Sequence, residues 1–195
     1  MKNITIKLAE ILGLLCAEGS HIIAYSSYWG KDRGRDRFFT NNKSERIEFY
    51  NKDIKLLKHY QKLLFDEFEY SPKITKHNKI NICKMNIIRS IILQTPLGHM
   101  KWTIPLSVKE SKREVKIAFV RGFFDGDGTV SNRVRFFSSN PDGIKQLSDL
   151  LRDLDFKHTI QGPIKRENHK DSFVIQISQK ERESFLKEIK PISKC

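Results

Sequence analysis

The sequence predicts an α+β protein of two pseudo-symmetric units. Each runs α-β-β-α-β-β-α, and the two join through a pair of helices. Three observations predict this. The chain repeats itself at an offset of 109 residues, because KLAEILGLLCAEGS at 7–20 aligns without gaps on KIAFVRGFFDGDGT at 116–129. Apolar spacing gives the same order of elements after each copy. Small residues recur every four positions in both, as Ala9, Gly13 and Ala17 and as Ala118, Gly122 and Gly126. The units divide into residues 1–106 and 107–195.

The elements follow in order. The first repeated segment is a helix, and RIEFY at 46–50 is a strand. KDIKLLKHYQKLLFDEF is a helix that turns Ile54, Leu57, Leu64, Phe65 and Phe68 inward. KITKHNKINIC is a hairpin and KMNIIRSIIL a helix. The second unit opens with a helix over 111–125, begun by a capping box of Ser111 and Glu114. RVRFF at 133–137 is a strand. The helix of 140–154 is capped by Asn140, with Pro141 in its first turn and Ile144, Leu147, Leu151 and Leu154 inward. Two strands around a polar turn and a final helix, QKERESFLKEI, complete it.

The first unit is longer. Glu18 stands 36 residues before Ile54, whereas Asp127 stands 17 before Ile144. The extra residues include SSYWGKDRGRDRFFTNNKSER, an extended basic hairpin by its alternation. Arg33, Arg35 and Arg37 then share one strand face.

Composition narrows the function. Thirty-six Lys and Arg against 23 Asp and Glu leave a net charge of +13, which attracts polyanions, nucleic acid foremost. The charge is spread, with 18 basic and 10 acidic side chains in 1–106 and 18 and 13 in 107–195, so both units face the polyanion. Cys16, Cys83 and Cys195 form no CxxC pair, which argues against zinc or a disulfide framework and for a reducing, cytoplasmic setting. No apolar run reaches the roughly 18 residues of a membrane helix. Glu10 and Glu18 interrupt what a signal peptide would keep apolar and small, so none is expected.

A glycine inside a helix costs about 1 kcal/mol relative to alanine. One at the same place in two helices implies close backbone contact between them. The stripes then face each other, and Glu18 and Asp127 meet at equivalent helix ends. Two close carboxylates repel unless one takes a proton or a cation sits between them. Hard oxygen ligands at an open site suit Mg²⁺, and in a basic protein that points to phosphodiester hydrolysis. Asp125 pairs with Cys16 in the repeat, so its role is capping or positioning rather than shared chemistry.

Other readings of DGDG fail. A calcium loop counted from Asp125 needs glycine and glutamate where Val130 and Phe136 stand. A dinucleotide fingerprint needs a third glycine where Ser131 stands. The six histidines show no ligand spacing and read as surface or satisfied polar residues.

ILGLLCAEG at 11–19 and VRGFFDGDG at 120–128 resemble the paired motifs of the LAGLIDADG homing endonucleases, and the order of elements is similar over nearly the whole chain. The resemblance implies a monomeric two-domain DNA endonuclease, similar to archaeal intron-encoded members. Each domain would be a curved antiparallel sheet with helices on one face. It implies Mg²⁺-dependent double-strand cleavage at a long asymmetric site, leaving short 3′ overhangs. The motif's penultimate acid carries over to Glu18 and Asp127, with metal also held by backbone carbonyls at Ala17 and Gly126. Glu18 departs from the usual aspartate. The basic residue between second strand and following helix carries over to Lys52. Its counterpart is Ser139 by strand register or Asp142 by helix register, so the half-sites are unequal.

Strand period supplies the contacts to double-stranded DNA. Arg133 and Arg135 share a face, as do Lys79 and Asn81, and Gln176 and Ser178. Such faces suit the major groove, where Arg reads guanine and Asn or Gln reads adenine. Trp29 and Trp102 fit either DNA or core. The alternative function is a non-cleaving nucleic-acid-binding protein of the same fold, an RNA maturase or a DNA-binding regulator.

Overall fold

Two helices lie back to back at the centre and carry one antiparallel sheet each. The structure, a computed structural model, describes residues 4–165 and 170–194. Cys195 and His169 therefore lie outside the described residues. The first half runs α1 (Ile6–Glu18), β1 (Gly19–Asp32), β2 (Arg35–Tyr50), α2 (Ile54–Phe68), β3 (Lys79–Ile82) and α3 (Met85–Ile92). A short helix α4 (Leu106–Lys109) leads into α5 (Arg113–Asp127). Then follow β4 (Gly128–Val130), β5 (Val134–Ser138), α6 (Pro141–Asp153), β6 (His158–Ile164), β7 (Ser172–Ile177) and α7 (Arg182–Ile189). The sheets are ordered β1-β2-β3 and β4-β5-β7-β6. This is the expected α+β architecture. The first of the two strands expected over KITKHNKINIC is reduced to a single bridge, Ile74 to Ile80.

The α1–α5 packing realises the small-residue stripes. A Cβ on Gly13 would stand 2.1 Å from the carbonyl oxygen of Phe119, and one on Gly122 would stand 2.2 Å from that of Glu10. Phe119 and Glu10 are themselves equivalent in the repeat, so the two collisions are one contact seen from both sides of a pseudo-twofold axis. The glycines' propensity cost is offset by the burial that this approach allows. Beside the axis, buried Glu10 accepts from Arg121 at 3.1 Å and hydrogen-bonds His59 Nε2 at 2.6 Å, so α1, α2 and α5 share one hydrogen-bonded cluster.

Helix starts divide by chemistry. Thr5, Asp53 and Asn140 cap α1, α2 and α6 with side-chain oxygens that accept backbone amides. The box expected at Ser111 and Glu114 does not form. The Ser111 hydroxyl donates back to the Val108 carbonyl at 2.7 Å, closing the turn after α4, and Lys112 takes the cap position. Two apolar assignments on α2 are also corrected. Ile54 is 43% and Phe65 56% exposed, and Leu56, Tyr60 and Leu63 fill the buried stripe with Leu57 and Leu64. Several apolar phases fit one heptad-rich segment, and the sheet selects one.

The extra residues of the first half extend the β1–β2 hairpin. Asp32 pairs with Arg35, which leaves Arg33 and Gly34 as a two-residue turn with φ of 49° and 81°. Such turns match strand twist and need positive φ at both positions. Arg33 is thus at the hairpin tip and not on the strand face of Arg35 and Arg37. Among the described residues no helix is long and apolar enough to cross a membrane.

Candidate metal and nucleic-acid site

Glu18 is the last residue of α1 and Asp127 the last of α5. Packing the helices along their small-residue stripes therefore delivers the two acids to the same place. Gly126 permits the final approach, since a Cβ there would lie 2.4 Å from that of Ala17 and 3.3 Å from Cγ of Glu18. Each acid also sits where a helix C-terminus presents free carbonyls and partial negative charge, a place that favours cations.

The electrostatics follow. Burial, then the charge of Glu18, push the Asp127 carboxyl up to about 7, and Lys194 opposes the rise. Burial also raises Glu18, again against Lys194. Both carboxyls are thus raised, Asp127 partly by the negative charge of Glu18. Both acids open on a cleft of about 470 Å³, lined also by Ala17, His99, Ser138 and Ser139.

Asp125, two residues away, does something else. It is 1% exposed, and its carboxylate accepts from the amides of Ile192 and Ser193 and from the Ser193 hydroxyl, all within 3.0 Å. This pins the segment after α7 and sets Lys194 Nζ 3.4 Å from the carbonyl oxygen of Gly126. Sequence reading missed Lys194, because it lies beyond the repeated elements.

The described residues contain no group of three or more His, Cys, Asp and Glu placed to hold a metal. Two carboxylates and backbone carbonyls are the available donors. They fit a hard divalent cation that keeps waters and shares substrate oxygens. The Lys194 ammonium on the Gly126 oxygen places positive charge at this set of donors. Lys52 stands exposed in the bend between β2 and α2 and does not line the cleft.

The sheets supply the polyanion surface. Ile47 and Phe49 of β2 face the core, so Glu48 and Arg46 face away from it. On β1, Ser26 pairs with Asn42 but Tyr28 with Phe39, so β2 carries one extra residue between these pairs. This bulge at Asn41 (φ 52°) flips the parity of β2 and brings Arg35 and Arg37 onto the outward face with Tyr28. Lys79 and Asn81 join that face from β3, and Lys79 Nζ donates to Glu48 at 3.0 Å. In the second sheet Arg135 pairs with Gln176, whose Oε1 accepts from Arg133 at 3.1 Å and Arg135 at 3.3 Å. Ser178 lies past the end of β7, its amide donating to the Lys157 carbonyl at 2.8 Å.

Register makes the two faces comparable. Glu48 stands between Ser20 and Asn81 as Arg135 stands between Thr129 and Gln176. One half-face therefore carries an acid where the other carries a base. The same register places Ser139 where the first half has Lys52.

Residues 114–190 match the family model described as LAGLIDADG-like domain. That similarity covers the second motif helix, its sheet and the helices that pack on it. Solved structures extend the likeness in fold to the whole chain. A structure of mesophilic variants of the homing endonuclease I-DmoI superposes with a TM-score of 0.67 at 21% identity, covering 96% of this chain and 97% of that one. I-DmoI in complex with DNA and Mn gives 0.65 at 19% identity, covering 94% and 96%. The N-terminal LAGLIDADG domain of DUF199/WhiA gives 0.52 at 15% identity, covering 97% and 86%. No curated protein matches by sequence. In the shared fold, each of the two central helices ends at its acid, and the first β-hairpin is the longer, basic one.

Proposed function

We propose that the chain is a sequence-specific endonuclease of double-stranded DNA that hydrolyses phosphodiesters with Mg²⁺ at a long asymmetric site. It acts as a monomer of the kind that intron homing requires, with residues 1–106 and 107–195 each covering one half-site. The observation that carries this reading is the meeting of Glu18 and Asp127 at two abutting helix ends, in a cleft beside outward basic sheet faces. The DNA and metal complexes of I-DmoI, which has the same fold, support it.

Each residue has a task. The carboxylates of Glu18 and Asp127, with the carbonyls of Ala17 and Gly126, hold the divalent ion. When bound, that ion supplies an acidified water and charge for the leaving oxygen. Lys52 approaches the phosphate on the first half's side. Arg35, Arg37, Lys79 and Asn81 hold one half-site, and Arg133, Arg135 and Gln176 the other, with Arg33 and Ser178 at the margins. Part of this set contacts phosphate alone and fixes register, and the rest reads bases.

The experiment selects bound duplexes from a randomised pool, then incubates the selected duplex with Mg²⁺. Double-strand cleavage at one position supports the reading. Tight specific binding with no cleavage by Mg²⁺ or Mn²⁺ would overturn it in favour of a binding protein.

A further inference from the structure

The cleft has a side that the repeat does not furnish. On the first half's side, Lys52 follows β2. On the second, the same register holds Ser139, which is not basic and lines the cleft with Ser138. His99 reaches that side from the linker between the two halves.

The linker is built to hold it there. The Thr95 hydroxyl donates to the Thr103 carbonyl at 2.7 Å and accepts from the Thr103 amide at 3.1 Å, closing the loop at its base. Trp102 is buried, packs tilted against Phe123 of α5 with ring centroids 4.8 Å apart, and receives the Asn140 side-chain amide on its carbonyl at 2.7 Å. Ile104 donates to the Gln146 side chain at 2.9 Å. The loop is thus fastened to α5 and to the start of α6. At its tip, Gly98 has φ 126°, a conformation open to glycine, and the Lys101 amide returns to the Gly98 carbonyl at 2.9 Å. That tight turn presents His99, exposed, to the cleft.

We infer that His99 is a catalytic residue of the second half-site, hydrogen-bonding the scissile phosphate of one strand from the side of the cleft where Ser139 holds the register position of Lys52. This rests on the nuclease reading. An imidazole N–H on a loop held at this height can donate to a phosphate oxygen in the cleft. Its place is fixed by packing that none of the sheet strands shares. The two strands are therefore cut with different machinery, and loss of His99 affects one of them.

The test is single-turnover cleavage of the selected duplex with each strand end-labelled in turn, for the wild type, His99→Ala and His99→Gln. His99→Ala is expected to slow one strand by about 10²-fold, the usual loss for one transition-state donor. The other strand should change by less than about threefold, so nicked product accumulates. His99→Gln keeps a donor and should recover part of the loss. Equal slowing of both strands, or no slowing of either, overturns the proposal. Phosphate-ethylation interference, read on bound duplex without cleavage, is the second arm. His99→Ala should lose interference at one phosphate near the centre of the site. If the wild type binds but does not cut, the nuclease reading fails in that arm alone. An unchanged interference pattern then overturns the His99 contact separately.

Discussion

The carboxylate of Asp125 accepts both the amide and the hydroxyl of Ser193, at 2.9 and 3.0 Å. The equivalent residue of the first motif, Cys16, is a buried thiol that desolvation pushes up to about 12 against the influence of the Thr95 side chain, and Thr95 stands three residues past α3 as Ile192 stands three past α7. In the second repeat this motif position thus fastens the segment that follows the last helix. Of the two aspartates in DGDG, one holds the chain and the other faces the cleft.

Asp125→Ala should leave two amides and a hydroxyl without their acceptor and release Lys194 from Gly126. We expect a loss of about 1–3 kcal/mol in stability, the usual cost of orphaned buried polar groups. Urea unfolding measures this, and the segment after α7 should become a substrate for carboxypeptidase. Asp125→Asn keeps one acceptor oxygen and should be milder in both readouts. An unchanged unfolding midpoint for Asp125→Ala would show that the anchor contributes nothing.

Gly122→Ala and Gly13→Ala each place a methyl against the facing helix's backbone, at 2.2 and 2.1 Å. A backbone carbonyl cannot swing away like a side-chain end, so the helices must separate. Overpacking of this kind costs about 1–3 kcal/mol, and widening the α1–α5 gap moves Glu18 from Asp127. Thermal unfolding and cleavage should therefore fall together. Alanine's better helix propensity would raise the melting temperature if the helices did not pack this closely.

Protonation should compete with metal. The folded-state Asp127 carboxyl is raised from 3.8 to about 7, so without metal the folded chain holds an extra proton between those values. Stability therefore falls as pH climbs from about 4 to 7, by roughly 1–3 kcal/mol. Asp127→Asn should flatten that slope in EDTA. With Mg²⁺ or Mn²⁺ the sign reverses, because the ion needs the carboxylate, and affinity by calorimetry should rise through pH 7 with proton release. A pH-independent metal affinity between pH 6 and 8 would contradict this assignment.

Binding to the selected duplex should weaken steeply with salt, since each neutralised phosphate contributes a log–log slope of about −0.9. The double substitution of Arg35 and Arg37 by alanine should reduce that slope by at most about 1.8, one contact's worth for each. Arg135→Ala should relax base preference more than the slope, because Gln176 holds that guanidinium in place. Equal losses on selected and random duplex for Arg135→Ala would make it a phosphate contact instead.

Legibility in the sequence followed the repeat. The glycine stripes, the meeting of Glu18 and Asp127 and the basic hairpin were legible because two copies constrain each other. The phase of α2 was not, since Ile54 and Phe65 satisfy helical spacing as well as Leu56 and Leu63 do, and only the sheet beneath decides. Arg33 alternates with Arg35 and Arg37, but Gly34 beside it is the turn signal that outranks alternation. Ser111 satisfied a capping pattern and was drawn into the preceding turn. His99 and Lys194 lie outside the repeated elements, on a linker and on the segment after α7, where internal comparison is silent. One signal did point to the latter: Asp125 breaks the symmetry of the motifs, and its unmatched carboxylate needed a partner.

The most direct test of the account is single-turnover cleavage measured beside equilibrium binding for Glu18→Gln and Asp127→Asn. Both variants keep side-chain size and hydrogen bonding and remove one negative charge from the pair. Affinity for the selected duplex should hold or tighten, as repulsion from phosphate falls. Cleavage of both strands should drop by roughly two or more orders of magnitude, as loss of metal-assisted water activation implies. Near-normal cleavage by Asp127→Asn with intact binding would contradict the assignment of the active site to this pair.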